Sequence, residues 1–470
     1  MTYDLLVTGG RLVSLAGVTT GSLAIRDGRV VVILPAEERP PAREVANARG
    51  LHILPGVIDT HVHTRHPGHP GREDALSGSS AAAAGGITTF LEMPISKVPV
   101  NSGESLVARA EAIGAQAVVD FALYGGAGHQ NLDEIASQAD AGAVAFKTFL
   151  QPPVQARASE FVGLWCTDMA ALRDVMGEVA RTGRRHCFHC EDWPMVVELE
   201  HRLQAAGDTS GRAHARSRPP VVEAVSVATM LALAREAGGP VQVVHVSSPE
   251  AADLVKSAKA RGANVTAETC PPYLFLTDEA LERYGPFAKC NPPLRSAASV
   301  EALWRHVVEG TIDVIGTDHS PFLAEEKERG RTNIFNAPPG LGGLEVLLPL
   351  MLTAVHEARL PLTQVPRLLA SRAAELFNLP GKGRLEPGFD ADFVLVDLNT
   401  AWTFEASTCH TRSKENMQVF DGRRLHGKVC ATYVRGTRVF QDGQITAAPG
   451  TGRFIRPSTI GPSKIGTGVI

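Results

Sequence analysis

The middle of the chain alternates short apolar strands with helical segments, and this repetition constrains the fold more than any other feature. Eight segments have the apolar pattern of buried strands, and helical stretches separate most of them. The predicted strands are residues 56–63, 87–93, 118–124, 144–149, 185–190, 241–246, 264–269 and 312–317. Eight such units in about 320 residues predict an α/β fold, the (β/α)₈ or TIM barrel, with enlarged loops. An open doubly wound sheet is disfavoured because no glycine-rich phosphate-binding pattern follows the first strand.

Two of the segments between strands carry specific helix signals. Between Asp168 and Arg181, the apolar residues fall at i, i+3, i+4 and i+7 and form one face: Leu172, Val175, Met176 and Val179. Ser248 followed by Pro249 matches an N-cap and a first helical position, and opens a helix that runs to Lys259. Both patterns predict helices of the kind that such a barrel requires.

Both ends of the chain have the pattern of short strands joined by tight turns. The predicted strands are residues 4–7, 11–15, 22–26, 29–34, 392–396, 429–435 and 437–440. Asp27-Gly28 and Asp442-Gly443 are hairpin signals. Neither end is large enough to bury a core alone, so we expect one small β-sandwich domain shared by both. The expected domains are therefore residues 1–53 with 382–470, and a barrel over residues 54–381.

Charge and composition exclude several classes of function. A formal net charge of -4 over 470 residues gives no general attraction to nucleic-acid phosphates or anionic membranes. No apolar run approaches the roughly 18 residues of a membrane span, and the N-terminus lacks the pattern of a secretory signal. Seven cysteines at scattered spacings argue against a secreted disulfide framework. We therefore expect a soluble, cytoplasmic protein with neither a nucleic-acid partner nor a membrane partner.

Metal-ligating residue types occur at the ends of the predicted barrel strands, where the active sites of such barrels lie. The first strand ends with His61 and His63, and residues two apart on a strand point to the same face. Later strands contribute a lysine, two more histidines and an aspartate: Lys147, His189, His245 and Asp318. A single histidine in a barrel is usually a packed or hydrogen-bonded residue. Several such groups in one predicted ring instead indicate a metal site.

Lys147 requires its own explanation. An ammonium group beside one or two divalent cations would be repelled, so we expect this lysine to be deprotonated or modified. A neutral lysine amine can add carbon dioxide and form a carbamate, whose oxygens can bridge two metal ions. The apolar residues on both sides, Ala145-Phe146 and Phe149-Leu150, argue against an ordinary ion pair at the surface.

Nine motifs follow one another along nearly the whole chain. They are PGVIDTHVH (55–63), AAAAGGITTFLEMP (81–94), AFKTFL (145–150), HCED (189–192), VHVSSPEA (244–251), ETCPPYL (268–274), AKCNPPLR (288–295), GTDHSPF (316–322) and PGFDADFVLVD (387–397). In this order they resemble the cyclic amidohydrolases, the group of the amidohydrolase superfamily that includes allantoinases, dihydroorotases, hydantoinases and dihydropyrimidinases.

The resemblance implies a binuclear metal centre. One divalent ion would be held by His61, His63 and Asp318, the second by His189 and His245, and a carboxylated Lys147 would bridge them. These ligands suit zinc first, and also manganese, cobalt or iron(II). The relatives suggest a homotetramer or a homodimer. Catalytically inactive scaffold relatives lose metal ligands, and that alternative is weak because all six ligand positions are filled here.

The resemblance also implies the reaction, hydrolysis of a carbon–nitrogen bond in a cyclic amide such as a ureide or imide ring. A hydroxide bridging the two ions would attack the ring carbonyl. Asp318 would act first as general base and then as general acid, passing the proton to the leaving ring nitrogen. The expected partner is a small-molecule cyclic amide.

The motifs that would contact the ring do not decide which cyclic amide is the substrate. The second half of the chain is most similar to allantoinases, so we expect conversion of allantoin to allantoate, with backbone groups near Asn291, Ser320 and Gly340 at the ring. Arg65 matches the HxHxR pattern with which dihydroorotases hold the substrate carboxylate. However, Ile95-Ser96 stands where similar dihydroorotases carry Asn-Thr.

Hydantoinases provide a further alternative. The segment from Asn336 to Gly340 resembles their ring-binding loop, whereas Gln151 lies in the region where they carry a tyrosine. Dihydroorotate, hydantoins, dihydropyrimidines and other imides therefore remain alternative substrates to allantoin.

Overall fold

The computed structural model describes residues 2–458 and contains an eight-stranded parallel barrel and a nine-stranded sheet formed by both ends of the chain. The strands are β1 (Tyr3–Ser14), β2 (Gly17–Arg26), β3 (Arg29–Leu34), β4 (Ala42–Asn47), β5 (His52–Pro55), β6 (Val57–Val62), β7 (Ile87–Glu92), β8 (Asp120–Gly126), β9 (Ala145–Phe149), β10 (Arg185–His189), β11 (Val241–Val243), β12 (Val265–Thr269), β13 (Val314–Ile315), β14 (Phe393–Thr403), β15 (Arg424–Val434), β16 (Thr437–Gln441) and β17 (Gln444–Ile445). The α-helices are α1 (Ala75–Ala84), α2 (Gly103–Gly114), α3 (Ile135–Ala141), α4 (Met169–Arg181), α5 (Trp193–Ala205), α6 (Gly211–Ser217), α7 (Pro220–Ala237), α8 (Pro249–Ala260), α9 (Pro271–Phe275), α10 (Glu279–Tyr284), α11 (Ala297–Val308), α12 (Ala324–Glu328), α13 (Leu347–His356), α14 (Gln364–Pro366) and α15 (Arg372–Leu376). Within residues 2–458, no helix has both the length and the hydropathy needed to cross a bilayer.

The eight predicted barrel strands correspond to β6–β13, and the predicted barrel is confirmed. These strands are all parallel and neighbour one another in chain order. The barrel closes between its first strand and the segment after its last one, where Val62 forms a bridge with His319. The backbone N–H of His63 donates to the carbonyl of His319 at 2.8 Å, so closure occurs beside two predicted metal ligands.

The two helices with specific sequence signals form as expected. Asp168 is the N-cap of α4 and its side chain accepts from the backbone N–H of Ala171, and the predicted apolar face is buried: Leu172, Val175, Met176 and Val179. Ser248 caps α8, with Pro249 in its first turn. Amphipathic helices of this kind cover the apolar outer surface of the barrel strands.

The terminal sheet is a separate unit to which both ends of the chain contribute. Its nine strands have the order β17-β16-β15-β14-β5-β1-β2-β3, with β4 beside β1, and most pairs are antiparallel. The two ends meet where β14 pairs with β5, with Phe393 opposite Pro55 and Val396 opposite His52. The sheet has its own apolar core, formed from both ends by side chains such as Leu5, Leu23, Ile53, Phe393 and Tyr433. The predicted turns at 27–28 and 442–443 are both present and join β2 to β3 and β16 to β17.

The first strand differs from its prediction. The segments 4–7 and 11–15 were expected to be two strands, whereas the structure has the single strand β1 with a shift in register between Val7 and Gly10. Gly9 has φ 68°, a left-handed conformation that costs glycine little, so the strand bulges there and continues. Strands β4 and β5 were not predicted, because β4 is polar and largely exposed and β5 is only four residues long.

The end of the described chain lies against the barrel. The many glycine, proline and serine residues between positions 449 and 470 predict a segment that runs extended over a surface. Residues 459–470 lie outside the described residues. Before them, Arg453 accepts from the backbone N–H of Phe121 at 3.0 Å, and Ile455 donates back to Phe121 at 2.7 Å. The ring of Phe454 stacks on Phe121 with centroids 5.7 Å apart. This segment therefore covers the beginning of β8.

A buried ion cluster joins the barrel to the terminal sheet. Lys382 is fully buried, and its Nζ lies 2.6 Å from Asp120, 3.1 Å from Asp390 and 2.6 Å from Asp392. Arg435 also pairs with Asp120. Burial would lower the pKa of Lys382, but the three carboxylates, Asp392 foremost, raise it above its usual range. Lys382 and Arg435 therefore compensate the negative charge of this carboxylate group from within the protein.

We expect the variant Lys382→Met to lose about 3–5 kcal/mol of unfolding free energy, because it leaves buried carboxylates without their ammonium partner. The measurement is urea-induced unfolding followed by tryptophan fluorescence. The control is Lys256→Met, whose ammonium pairs with Glu309 at 2.7 Å on the exposed surface, where solvent screens the attraction and the effect on stability should be small. Equal midpoints for the two variants would contradict a stabilising role for the cluster.

Candidate metal centre

All the side chains and backbone positions predicted to form the site line one cavity of about 620 Å³ at the carboxyl ends of the barrel strands. The cavity is surrounded by His61, His63, Arg65, Lys147, His189, His245, Asn291, Asp318, Ser320, Asn336 and Gly340. The sequence placed these residues on different strands and loops, and the barrel topology brings them together. The functional roles of these residues are predictions.

The six predicted metal ligands lie within a barrel strand or no more than three residues beyond its end. His61 and Lys147 lie on β6 and β9, His189 ends β10, and His63, His245 and Asp318 follow β6, β11 and β13. The five histidine and lysine side chains are buried, and 19% of the Asp318 side chain remains exposed. A ring of mostly buried ligands at a barrel mouth is suited to holding an ion out of bulk water.

His61, His63 and Asp318 form the first group of possible ligand atoms. The Nε2 atoms of the two histidines lie 3.3 Å and 3.4 Å from Oδ1 of Asp318, and the three ligand atoms lie within 4.8 Å of one another. Burial lowers the pKa of His63 to about 3. Burial also acts to raise the pKa of Asp318, but His61, His63 and Lys147 outweigh it and bring that pKa to about 2. A neutral imidazole and an ionised carboxylate are the protonation states that metal binding requires.

His189 and His245 form the second group. Nδ1 of His189 lies 3.0 Å from Nε2 of His245, so the two rings converge on the same space. Burial, followed by the nearby charge of Lys147, lowers the pKa of His245 well below its usual range. The His245 ring lies 5.4 Å from that of His61 between centroids, which brings the second group next to the first.

Lys147 lies in the same cavity as these two groups. Its Nζ is fully buried and has no hydrogen-bond partner among the described residues. Burial lowers the pKa of this amine, and Asp318 acts in the opposite direction. A buried amine without a partner is costly unless another group completes its surroundings. The donor set and this orphaned nitrogen therefore fit a metal centre with a modified lysine.

Two of the four histidines have one ring nitrogen within hydrogen-bond distance of a buried carboxylate. Nδ1 of His61 lies 2.7 Å from Oε1 of Glu268, and Nε2 of His189 lies 2.9 Å from Oε2 of Glu191. Glu268 accepts from Oγ1 of Thr60 at 2.5 Å, and Glu191 pairs with Arg218 at 3.3 Å. Such partners fix the tautomer and orientation of a metal-ligating imidazole.

The roles of Glu268 and Glu191 were missed in the sequence, although both residues lie inside motifs that were noted there. The available signal was an acidic residue near the end of an apolar strand. Glu268 lies on β12, in the segment VTAET, and Glu191 follows His189 by two positions. A carboxylate at such a position is buried on folding and needs a partner within the barrel.

Three residues of the cavity have left-handed backbone angles that non-glycine residues rarely adopt. They are Arg65 with φ 62°, His245 with φ 41° and Asp318 with φ 50°. Each such backbone conformation costs on the order of 1–3 kcal/mol of folding free energy, and it persists only where the surrounding structure imposes it. Their concentration at one cavity indicates that the placement of these side chains matters more than local backbone preference.

Arg65 is a buried cation that forms no salt bridge with any residue between positions 2 and 458. It is 2% exposed, and its NH2 group donates to Oγ of Ser320 at 2.7 Å. Nε and NH1 have no hydrogen-bond partner in residues 2–458. Burial, with Arg157 and Arg72 nearby, lowers the pKa of Arg65 to about 9. The guanidinium also lies over the ring of Phe322, 5.1 Å from its centroid.

The backbone groups expected to bind the ring are partly engaged within the protein. The N–H of Ser320 donates to Leu341, and the N–H of Gly340 donates to Lys289. These two donors therefore hold the loop, and any contact of these residues with a ligand must use their other groups. Gly340 has no room for a side chain, because a Cβ there would lie 2.3 Å from the carbonyl oxygen of Ser320. Oδ1 of Asn291 is buried without a partner among the described residues.

An α/β barrel with converging imidazoles, a buried amine and an ionised carboxylate at its strand ends has the architecture of the metal-dependent barrel hydrolases. The sequence profile of the amidohydrolase family matches residues 52–439. The chain therefore belongs to the amidohydrolase family, whose members depend on metal ions.

Similar proteins agree in activity class. An allantoinase from Deinococcus radiodurans is 37% identical over 462 residues, which cover 98% of this chain and all of the relative. An L-hydantoinase from Paenarthrobacter aurescens is 34% identical, with coverage of 98% and 100%. The solved structure of an L-hydantoinase (dihydropyrimidinase) from Arthrobacter aurescens has a TM-score of 0.92 at 34% identity and covers 97% of this chain and 100% of its own. This chain is accordingly an enzyme that hydrolyses carbon–nitrogen bonds in cyclic amides.

Proposed function

We propose that this enzyme hydrolyses the ring of allantoin and releases allantoate. Similarity to allantoinases along nearly the whole chain supports this substrate. The observation that carries the mechanism is the orphaned Nζ of Lys147, which is buried in the same cavity as two converging pairs of histidines. An acyl-transfer reaction on a ring amide uses such a site because it combines charge stabilisation with a base in a water-poor cavity.

The proposed cofactors are two divalent metal ions. The ligands would be His61, His63 and Asp318 for one ion and His189 and His245 for the other, with a carboxylated Lys147 shared between them. This set suits zinc first, and also manganese, cobalt or iron(II). When bound, such ions polarise an amide carbonyl and lower the pKa of a water molecule. The described side chains orient this set, because Glu268 and Glu191 fix the rings of His61 and His189.

Asp318 is the proposed proton carrier. With a pKa of about 2 it is ionised at neutral pH, so it can accept a proton from the attacking water. Its side chain is partly exposed to the cavity, which gives it access to both water and substrate. After the ring carbon–nitrogen bond breaks, the same carboxyl group returns the proton to the leaving nitrogen.

Buried polar atoms of the cavity wall match the edge of a ureide ring. Oδ1 of Asn291 and Oε1 of Gln151 are buried without partners in the described part of the chain, and both can accept a ring N–H. Ser320 and Asn336 lie on the same cavity and offer a hydroxyl group and an amide. A substrate with alternating N–H and C=O groups satisfies more of these atoms than a lactam with a single N–H.

A second candidate substrate is dihydroorotate, which carries a carboxylate on its ring. The observation that favours it is Arg65, whose Nε and NH1 atoms are buried beside the cavity with no ion-pair partner among residues 2–458. A buried guanidinium with free donors matches a carboxylate in charge and geometry. Allantoin carries no carboxylate and would supply no ion-pair partner to this guanidinium.

A panel of ring substrates tests both candidates. We expect hydrolysis of allantoin at a higher kcat/KM than dihydroorotate, dihydrouracil, 5-substituted hydantoins and cyclic imides. The variant Arg65→Ala should leave allantoin turnover within about 10-fold and lower any dihydroorotate turnover by about 10- to 100-fold, the effect of losing a charged hydrogen bond of about 1.5–3 kcal/mol. Arg212→Ala is the control, since Arg212 pairs with Glu282 away from the cavity. Turnover of dihydroorotate alone in the wild type would make the second candidate the function.

We further propose that the enzyme works as a homotetramer or homodimer in the cytoplasm. The seven cysteines are all free thiols, and six of them are buried, which supports a reducing compartment. Sedimentation analysis at several protein concentrations would determine the oligomeric state.

A further inference from the structure

A segment of the terminal sheet leaves that sheet and reaches the mouth of the barrel. We name residues 404–423, which connect β14 to β15, the bridging segment. Nδ2 of Asn416 donates to the carbonyl of Phe322 at 2.5 Å, and Oγ of Ser413 donates to the carbonyl of Arg72 at 2.7 Å. The segment therefore contacts the loops that follow both the last and the first barrel strand.

Glu73 is the buried centre of these contacts. Its carboxylate is 0% exposed and accepts from four groups: Oγ of Ser77, Oγ1 of Thr411, the backbone N–H of Arg412 at 3.2 Å, and Nε2 of His319 at 3.3 Å. Two of these donors belong to the bridging segment. No lysine or arginine in the described chain forms a salt bridge with Glu73, so these hydrogen bonds satisfy its buried oxygens.

The hydrogen bonds of His319 fix its tautomer. The backbone N–H of Gly343 donates to Nδ1 at 3.2 Å, so Nδ1 is unprotonated and Nε2 carries the proton that it donates to Glu73. The backbone of His319 is equally constrained. Its N–H donates to Oγ1 of Thr317 at 3.0 Å, and its carbonyl accepts from His63.

Asp318 lies between these two anchored residues and has the strained φ of 50°. Thr317, on its other side, donates from its backbone N–H and its hydroxyl group to the buried carboxylate of Asp59, at 2.9 Å and 2.6 Å. Two buried carboxylates, Asp59 and Glu73, therefore hold the chain on either side of Asp318. Of these two carboxylates, only Glu73 accepts hydrogen bonds from the bridging segment, which is distant in the sequence.

We propose that Glu73, His319 and Thr411 are positioning residues that hold Asp318 in its reactive conformation, so that the bridging segment of the terminal sheet is a required part of the active site. This inference rests on the role proposed above for Asp318. The hydroxyl group of Thr411 compensates the Glu73 carboxylate, Glu73 holds the His319 ring, and His319 holds the backbone of Asp318. None of the three positioning residues lines the cavity, so they act without touching the substrate.

The test compares Thr411→Val, which removes the hydroxyl group at nearly constant shape, with Thr411→Ser, which keeps it. We expect Thr411→Val to lower kcat by about 10- to 100-fold, as measured for partners of metal-ligating groups, with KM changed less than about 3-fold. Loss of metal from the holoenzyme to a chelator should also become faster. In Thr411→Ser, which keeps the hydroxyl group, kcat and the rate of metal loss should stay close to the wild-type values. Thr408→Val is the matched control, since Thr408 is exposed and its hydroxyl group donates only to Glu405 of the same segment.

The outcomes separate this inference from the proposed function. Wild-type values of kcat and of metal loss in Thr411→Val would overturn the positioning role, and so would equal defects in the valine and serine variants. If Thr411→Val does not fold, Thr411→Ala replaces it in the same comparison. If the wild type hydrolyses none of the ring substrates, the proposed function fails, and the rate of metal loss still tests the positioning role.

Discussion

Lys147→Ala is expected to lose bound metal and nearly all hydrolytic activity. The lysine Nζ is fully buried in the cavity and has no hydrogen-bond partner in the described chain, so its removal would delete the ligand proposed to be shared by the two metal ions. A bound metal ion contributes several kcal/mol to stabilising the charge that develops in the transition state, so we expect kcat/KM to fall by about 10³-fold or more. The measurements are elemental analysis of the purified variant and steady-state kinetics.

Chemical rescue distinguishes a carbamate from a simple amine. Alanine leaves a space at the position of the lysine side chain, and a short-chain carboxylic acid such as propionate can place two oxygens there. We expect propionate to restore part of the metal content and activity, and propylamine to restore neither. Lys256→Ala, at an exposed lysine, is the control for preparation and folding. Unchanged activity in Lys147→Ala, or rescue by the amine instead of the acid, would refute the carbamate.

Asp318→Asn is expected to have the second-largest effect, a fall in kcat of about 10²- to 10⁴-fold, because an amide cannot accept and return the proton. The substitution keeps the shape of the side chain, so the cavity should still bind the ring and KM should change much less than kcat. Metal affinity should also fall, since Asp318 lies 3.3 Å from His61 and 3.4 Å from His63.

The matched control for this variant is Asp253→Asn, whose carboxylate is 70% exposed and lies 3.5 Å from His306. It should leave kcat and thermal stability unchanged. Thermal unfolding of Asp318→Asn should show a folded protein, so that loss of activity is not loss of structure. A kcat within about 10-fold of wild type would remove Asp318 from the role of proton carrier.

The barrel could be predicted because the apolar pattern of each strand lies within a short stretch of the sequence. A strand buried on both faces is a continuous apolar run, and such a run is recognisable in the sequence without knowledge of its neighbours. The convergence of the proposed ligands on one cavity could be predicted for the same reason, since each lies within such a run or at most three residues beyond it. His245 illustrates the limit, because it lies two residues beyond the end of β11 in a left-handed conformation that no local pattern indicates.

The outer contacts could not be predicted because they join residues that are remote in sequence. Glu268 is 207 positions from His61, and Glu73 is 338 positions from Thr411. An isolated glutamate in a sequence most often lies on a solvated surface, and only the closed barrel shows that these two are buried. The engagement of the Ser320 and Gly340 N–H groups within the protein could not be predicted for a related reason. Both N–H groups donate to carbonyl groups of other loops, and the composition of a loop does not show which other loop it will pair with.

The pairing of β5 with β14 has a consequence for how this chain is made. Pro55 lies opposite Phe393, so β5 has no partner strand on this side until β14, 338 residues later in the sequence, has been synthesised. At about 5–20 residues per second, that delay is roughly 20–70 seconds on the ribosome. During this time the apolar face of β1, β2 and β5 lacks the core side chains that the later strands contribute, such as Phe393 and Tyr433. Until β14 is synthesised, the nascent chain presents an unpaired edge of β5, and its yield in a cell should depend on chaperones that bind such edges.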